Sequence, residues 1–199
     1  MKKDTEKFRY GCVAIIGKPN VGKSTILNNI LSKKVTIVSD KPETTRHRIL
    51  GILTREDFQI AFIDTPGIHK PFYPLGKQMV MTARASVDYA DLVLFVMDAT
   101  NAIKEEDIRV INLLREAKKP SILVINKIDL VKKSRLLPLI DEVSKLFEFN
   151  EVLPVSALNK NDIEILLGVI KPFMPEGLML YPRETITVRS TEFLIGELI

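Results

Sequence analysis

The chain has no tryptophan, two histidines and one cysteine, Cys12, among 199 residues. A single cysteine excludes an intramolecular disulfide and any metal cage built from several thiolates, and it suits a reducing compartment. Cys12 heads an apolar run, so it is expected to pack as a small buried hydrophobe and not to serve as a reactive thiol. Long hydrophobic runs are missing too. The longest, running from Ala90 to Met97, is broken by Asp91 and falls far short of the ~20 residues that span a bilayer. The N-terminus, MKKDTEKFRYGCVAIIG, starts basic, but its apolar stretch from Val13 to Ile16 is too short for an export signal. A soluble, cytoplasmic protein is the expectation. An excess of either charge is also lacking: 29 basic against 25 acidic residues leave a net +4. The lysines and arginines are scattered as Lys2-Lys3, Lys33-Lys34, Lys118-Lys119 and Lys132-Lys133-Ser134-Arg135. Solvated helix ends account for most of them, and they give only a hint of an anionic partner.

What is present is hydrophobicity in short pieces, 46% of the residues, enough for the core of one ordinary domain. Apolar runs predict strands at Cys12–Ile16, Arg48–Thr54, Phe58–Asp64, Leu92–Asp98, Ser121–Asn126 and Glu151–Pro154. Helical spacing appears between them, at Val110, Leu113, Leu114 and Ala117, at Leu136, Ile140, Val143 and Phe147, and at Ile163, Leu166, Leu167 and Ile170. This alternation predicts an α/β fold with a six-stranded sheet flanked by helices. Only Thr54-Arg55-Glu56-Asp57 separates the second and third strands, so they form one antiparallel hairpin and the sheet is mixed. After Lys171 the composition shifts. Pro172, Pro175, Gly177 and Pro182 end helical order, and residues 174–185 read as a linker between a domain at 1–173 and the start of another at 186–199. In that last piece Ser190 or Thr191 caps a short apolar stripe of Phe193, Leu194, Leu198 and Ile199. A terminal helix docked on the first domain is the other reading of it.

The strongest chemical signal is GKPNVGKS, Gly17 to Ser24, which fits G-x-x-x-x-G-K-[ST] between a strand and a helix carrying Ile26, Leu27, Ile30 and Leu31. In such a loop glycines let backbone amides close around phosphate oxygens, and the helix N-terminus adds its partial positive charge. Lys23 reaches the β- and γ-oxygens and Ser24 binds Mg²⁺. The expected phosphate-side set is Gly17, Pro19, Asn20, Val21, Gly22, Lys23, Ser24 and Thr25. The base is named by NKID, Asn126 to Asp129. A carboxylate there accepts both the N1 hydrogen and the exocyclic amino hydrogens of guanine, donors that adenine does not offer at that edge. Asn126, Lys127 and Asp129 therefore point to GTP. Ser156, Ala157 and Leu158, after the last strand, are placed to offer a backbone amide to the guanine oxygen. Asp64 ends the third strand as a carboxylate holding Mg²⁺ through water, and the Gly67 amide senses the γ-phosphate. In KPETTRHR, Lys41 to Arg48, a threonine closes over Mg²⁺ when GTP is bound. These features together specify a Ras-like G domain of the P-loop NTPase class.

GKPNVGKS, KPETTRHR, DTPGIHKP, NKID and SAL, in this order and spacing, resemble the GTPase domain of the Era family over residues 9 to 173. The wider group includes the tRNA-modifying and the tandem-domain ribosome-assembly GTPases. In that group the switch threonine directly precedes arginine, which selects Thr45 over Thr44 as a Mg²⁺ ligand. The resemblance implies hydrolysis of GTP to GDP and phosphate, with Lys23, Asn20, Thr45 and Gly67 as the catalytic set. It also implies a monomer, small-subunit ribosomal RNA and the ribosome as partners, a role in ribosome assembly, and an allowance for peripheral membrane association. RNA binding would belong to a KH domain whose first segment ITVRSTEFL resembles, although Val188 stands where an acidic residue is usual. The KH loop GXXG does not occur in this chain.

One residue departs from Ras-like sites. Ile68 occupies the place of the glutamine that orients the attacking water, a substitution shared with Era proteins. Asn20 is the candidate substitute. In relatives an asparagine there helps hold potassium beside the phosphates, offsetting charge where an arginine finger would act. His69 as a base, and Arg46 as a finger in cis, are weaker rivals, and His47 is weaker still. Two functional classes remain: a slow GTPase switch, and a GTP-gated binding module whose hydrolysis awaits a partner. An ATP-using kinase or transport ATPase conflicts with Asp129.

Overall fold

The computed structural model describes residues 8–32, 49–64 and 84–185. Six strands form one sheet: β1 (Arg9–Ile16), β2 (Ile49–Thr54), β3 (Phe58–Asp64), β4 (Leu92–Asp98), β5 (Ser121–Asn126) and β6 (Glu151–Pro154). Their order is β2-β3-β1-β4-β5-β6, and β2 with β3 is the antiparallel pair. Five helical stretches flank it: α1 (Lys23–Leu31), α2 (84–89), α3 (Glu105–Ala117), α4 (Lys133–Leu146) and α5 (Lys160–Ile170). The chain builds outward from β1 first toward β3 and then toward β4. The strand order thus reverses at β1, and in open α/β sheets the crevice at such a point, beyond the carboxyl ends of the strands, receives ligands.

The strands are legible because both faces of the sheet are covered. Every residue of β4 and of β5 is buried, so each reads as an unbroken apolar run. Alternate residues of β1 serve the two faces. Val13 and Ile15 pack with Ile26 and Leu27 of α1 and with Leu166 and Ile170 of α5. Ala14 and Ile16 pack on the other side with Val87 of α2, Val110 and Leu114 of α3, and Leu139 and Val143 of α4. The α5 stripe of Ile163, Leu166, Leu167 and Ile170 is fully buried as its spacing predicts. On α4 the buried row is Leu139 and Val143, while Leu136, Ile140 and Phe147 are only partly covered.

Two differences from the sequence reading have physical causes. β1 starts at Arg9, three residues before its apolar run, because the parallel register with β3 continues to Arg9↔Phe58. Cys12 therefore sits in the wetter half of the strand and is only half-buried.

Residues 174–181 lie against the amino ends of β1 and β3. Tyr10 N–H donates to Pro175 O and Gly177 N–H to Phe8 O, both at 3.0 Å. The Arg9 guanidinium donates to Met174 O at 2.7 Å. Gln59, fully buried, accepts from the Leu180 and Tyr181 amides at 3.0 Å each and donates to Tyr181 O at 2.8 Å. Gly11 leaves room for the strap, since a Cβ there would lie 2.5 Å from Met174 Sδ and displace that side chain. This segment is a strap bonded to the sheet. Residues 186–199, read above as the start of a further domain, lie outside the described residues.

Candidate nucleotide site

The loop from Gly17 to Gly22 leaves β1 and enters α1 through backbone conformations that explain its glycines. Gly22 has φ +99°, and a Cβ on it would sit 2.1 Å from Asn126 Nδ2. A Cβ on Gly17, φ +149°, would sit 2.3 Å from Val96 O. Asn20 takes φ 62°, the left-handed region that asparagine tolerates better than most residues.

The loop's carbonyls are held from behind. Lys23 Nζ, on a side chain only 7% exposed, donates to Lys18 O at 2.8 Å and Gly17 O at 3.2 Å. Lys127 Nζ donates to Asn20 O at 2.8 Å, and Asn126 Nδ2 to Val21 O at 2.8 Å. Gly22 O accepts the Ile26 amide at 2.9 Å. The carbonyls of Gly17, Lys18, Asn20, Val21 and Gly22 are thus occupied, which suits a loop that meets an anion at the α1 N-terminus. Pro19 adds no donor. Ser24 and Thr25 are half-buried in the first turn of α1.

The same β5 residues reach the far side of the cleft. Asn126, 1% exposed, accepts the Ala157 amide on Oδ1 at 2.9 Å. One amide side chain thereby ties the phosphate loop to the 156–158 turn. That turn is braced twice more: Asn29 of α1 donates to Ala157 O at 3.0 Å, and Asp162 of α5 accepts the Ser156 amide at 2.7 Å. Of the three amides of Ser156, Ala157 and Leu158, that of Leu158 takes no acceptor among the described residues. Asp129 follows on a 3-10 turn, exposed, and its carboxylate accepts no hydrogen bond among the described residues.

Asp98, at the end of β4, is the opposite kind of carboxylate. It is 6% exposed and accepts from Lys127 Nζ at 2.7 Å, from Thr100 Oγ1 at 2.6 Å and from the Thr100 amide at 2.8 Å. Burial alone would push its carboxyl up. The bonds from Lys127 and Thr100 outweigh that and hold it below the usual carboxylate range. Lys127, itself at φ 64°, is thereby aimed at both Asp98 and the phosphate loop.

Asp98, Thr100, Asn29 and Asp162 were not singled out from sequence. Asp98 had a signal, as the one charge closing an otherwise apolar strand. Asp162 stands three residues after the N-cap Asn159, the spacing of a capping box. Asn29 had none. Asp64 ends β3 as expected, with only its backbone described. Thr45, Arg46, His47, Gly67, Ile68 and His69 lie outside the described residues. No helix among the described residues is long and apolar enough to cross a membrane.

Comparison with known proteins meets this geometry. A family profile described as 50S ribosome-binding GTPase matches residues 12–127. A crystal structure of Era with MgGDPNP and nucleotides 1506–1542 of 16S ribosomal RNA is 43% identical, with a TM-score of 0.91 over 96% of this chain. An Aquifex aeolicus Era variant bound to GDP and AlF4⁻ is also 43% identical, with a TM-score of 0.90 over 96% of this chain. The chain spans 65% of the length of each of these two. The FeoB G-domain from Methanococcus jannaschii is 25% identical, with a TM-score of 0.61 over 83% of this chain and 98% of its own. The mixed sheet with its single antiparallel pair, the P-loop and these likenesses agree: the chain belongs to the family of 50S ribosome-binding GTPases, and its G domain is of the Era type.

Proposed function

We propose that this chain binds GTP and hydrolyses it to GDP and phosphate, as a switch in ribosome assembly. One observation carries the nucleotide reading. Asn126 and Lys127 hold the phosphate loop by its carbonyls, while Asp129, two residues on, keeps an open carboxylate on the same edge. The strand that supports the phosphate cradle thus also presents the base selector. Guanine's N1 hydrogen and amino hydrogens would be met by Asp129, and its oxygen by the 156–158 turn. Lys23 would contact the β- and γ-oxygens, and the amides of the loop the remaining phosphate charge. Ser24, Thr45 and Asp64 would hold Mg²⁺, which when bound neutralises charge between the β- and γ-phosphates. The loop fits such a group, since the carbonyls of Gly17, Lys18, Asn20, Val21 and Gly22 are taken up by hydrogen bonds and a Cβ at Gly17 or Gly22 has no room.

The test is nucleotide competition. GTP should displace a bound fluorescent guanine nucleotide far better than ATP, and Asp129→Asn should abolish most of that preference. Equal displacement by ATP would sink the reading.

Hydrolysis follows from the Era likeness, including the relative solved with GDP and AlF4⁻, and here Gly67 would report the γ-phosphate. With Ile68 in the glutamine's place, the cation beside the phosphates is proposed to be potassium, held with the help of Asn20. Ile68 equally favours a second reading, a GTP-gated binding module with negligible turnover until a partner completes the site. GTP turnover in potassium and in sodium chloride at equal ionic strength separates the two. Potassium stimulation that Asn20→Ala removes supports the enzyme; negligible turnover in both salts supports the module.

The partner is proposed to be small-subunit ribosomal RNA, because a 43% identical Era was crystallised with a 16S fragment. RNA contact would fall to a KH-type domain beginning at 186–199, with 174–185 leading into it, in a monomeric cytoplasmic protein. The family description names the large subunit, so binding to isolated 30S and 50S particles is the measurement to make.

A further inference from the structure

Lys18, the second residue of the phosphate loop, is engaged in two directions. Its carbonyl accepts from Lys23 Nζ at 2.8 Å, while its own ammonium donates to Asp107 Oδ2 at 2.6 Å. Asp107 lies in the first turn of α3 and is fully buried. The same Oδ2 takes the Lys104 amide at 2.8 Å. The other oxygen, Oδ1, is buried without a hydrogen-bond partner among the described residues. Among those residues Lys18 is the cation that compensates this carboxylate.

A buried ion pair adds little stability over an apolar pair of similar volume, because desolvation offsets the attraction. What it does supply is direction. Two other loop carbonyls are fixed from the carboxyl end of β5, Asn20 by Lys127 and Val21 by Asn126. The Lys18 side chain instead ties the loop to α3. Lys23 carries its charge on a flexible four-carbon stem, so its ammonium is placed by the carbonyls it rests on. Moving the Lys18 carbonyl moves that rest.

We infer that Asp107 is a positioning residue: acting through Lys18, the first turn of α3 sets where the Lys23 ammonium meets the phosphates. The inference rests on the reading of this cleft as a guanine nucleotide site.

The test uses this chain with GDP, followed by phosphorus NMR of the bound nucleotide, the guanine N1–H proton resonance, GDP affinity and thermal melting. Asp107→Asn should move the bound β-phosphate resonance and weaken GDP about tenfold, in line with the penalty for misplacing a charged contact, while the N1–H resonance stays in place. Lys18→Arg keeps a cation opposite the intact Asp107 and should shift both readouts less than Asp107→Asn does. The double variant Lys18→Met with Asp107→Asn leaves no buried charge and keeps an acceptor for the Lys104 amide, so it should fold even where the single variant does not. It should show the same displaced β-phosphate resonance. Glu106→Gln, the same charge change in the same turn, should leave every readout at its wild-type value. The inference is overturned if the Asp107 and double variants only melt earlier, with the β-phosphate resonance unmoved and GDP affinity within about twofold of wild type. Failure of the wild-type chain itself to take up GDP would instead remove the nucleotide reading, and this inference with it.

Discussion

The two ends of the sheet use the same device to opposite effect. At the carboxyl ends of β1 and β5, side chains donate to backbone carbonyls: buried Lys23 to Lys18, half-buried Lys127 to Asn20, buried Asn126 to Val21. At the amino ends of β1 and β3, strap and sheet consume one another's amides: Tyr10 on Pro175, Gly177 on Phe8, Leu180 and Tyr181 on Gln59. Occupying the loop's acceptors suits it to meet an anion, whereas in the seam strap and sheet satisfy one another's donors and acceptors. A buried polar group is therefore no sign of function by itself. Which partner of the backbone it takes decides what the loop can bind.

This contrast breaks most severely at Asn126, which holds both sides of the cleft. Asn126→Ala strands the Val21 carbonyl and the Ala157 amide; chemical denaturation should show a loss of about 3 kcal/mol. Nucleotide affinity should fall about a hundredfold, because both halves of the site lose their shared brace. Gln59→Leu makes the matching cut at the other end. It should cost about 2 kcal/mol in the same assay, yet leave nucleotide affinity within about twofold, since only the seam is opened. A large affinity loss there would erase the distinction between the two ends.

Asp98 sharpens the comparison through pH. Its carboxyl is held below its usual range in the folded chain. Its contribution is therefore complete above its ordinary value of 3.8 and is lost as pH falls through the lower folded value. Asp98→Asn should cost about 1.5 kcal/mol near neutral pH, and the gap to wild type should close below pH ~4. Tyr10, at the strap, predicts the smallest effect with the opposite sign. Burial, followed by the nearby Tyr181, pushes its hydroxyl up from 10 to about 12. Stability from this group is complete below pH 10 and is lost as pH rises from there to about 12. Ultraviolet titration of wild type against Tyr10→Phe should reveal that late-ionising phenol, and the alkaline decline should flatten in the variant.

Much of the site was legible because its chemistry is local in sequence. GKPNVGKS and NKID each carry their spacing within eight residues, and the strands before them are apolar runs without ambiguity. Fully buried β4 and β5 could be read as strands because their length and flanks leave no room for helices. The bracing was not legible. Asn29 meets Ala157 across 128 residues, and Lys18 meets Asp107 across 89. Pairings that distant are set by topology and leave no periodic trace. The strap was hidden for a related reason: Gln59 looks like a solvated polar residue within β3 until the backbone of 180–181 covers it.

β3 joins the two ends of the molecule in a single extended piece. It carries Asp64 at one tip and Gln59 near the other, roughly 17 Å away for five residues of extended chain. It is bonded along its length to β1 on one side and β2 on the other. A strand laddered on both sides is held in place, so it acts as a spacer of fixed length. The strap bonded to Gln59 is therefore held at a set distance from the tip that carries Asp64.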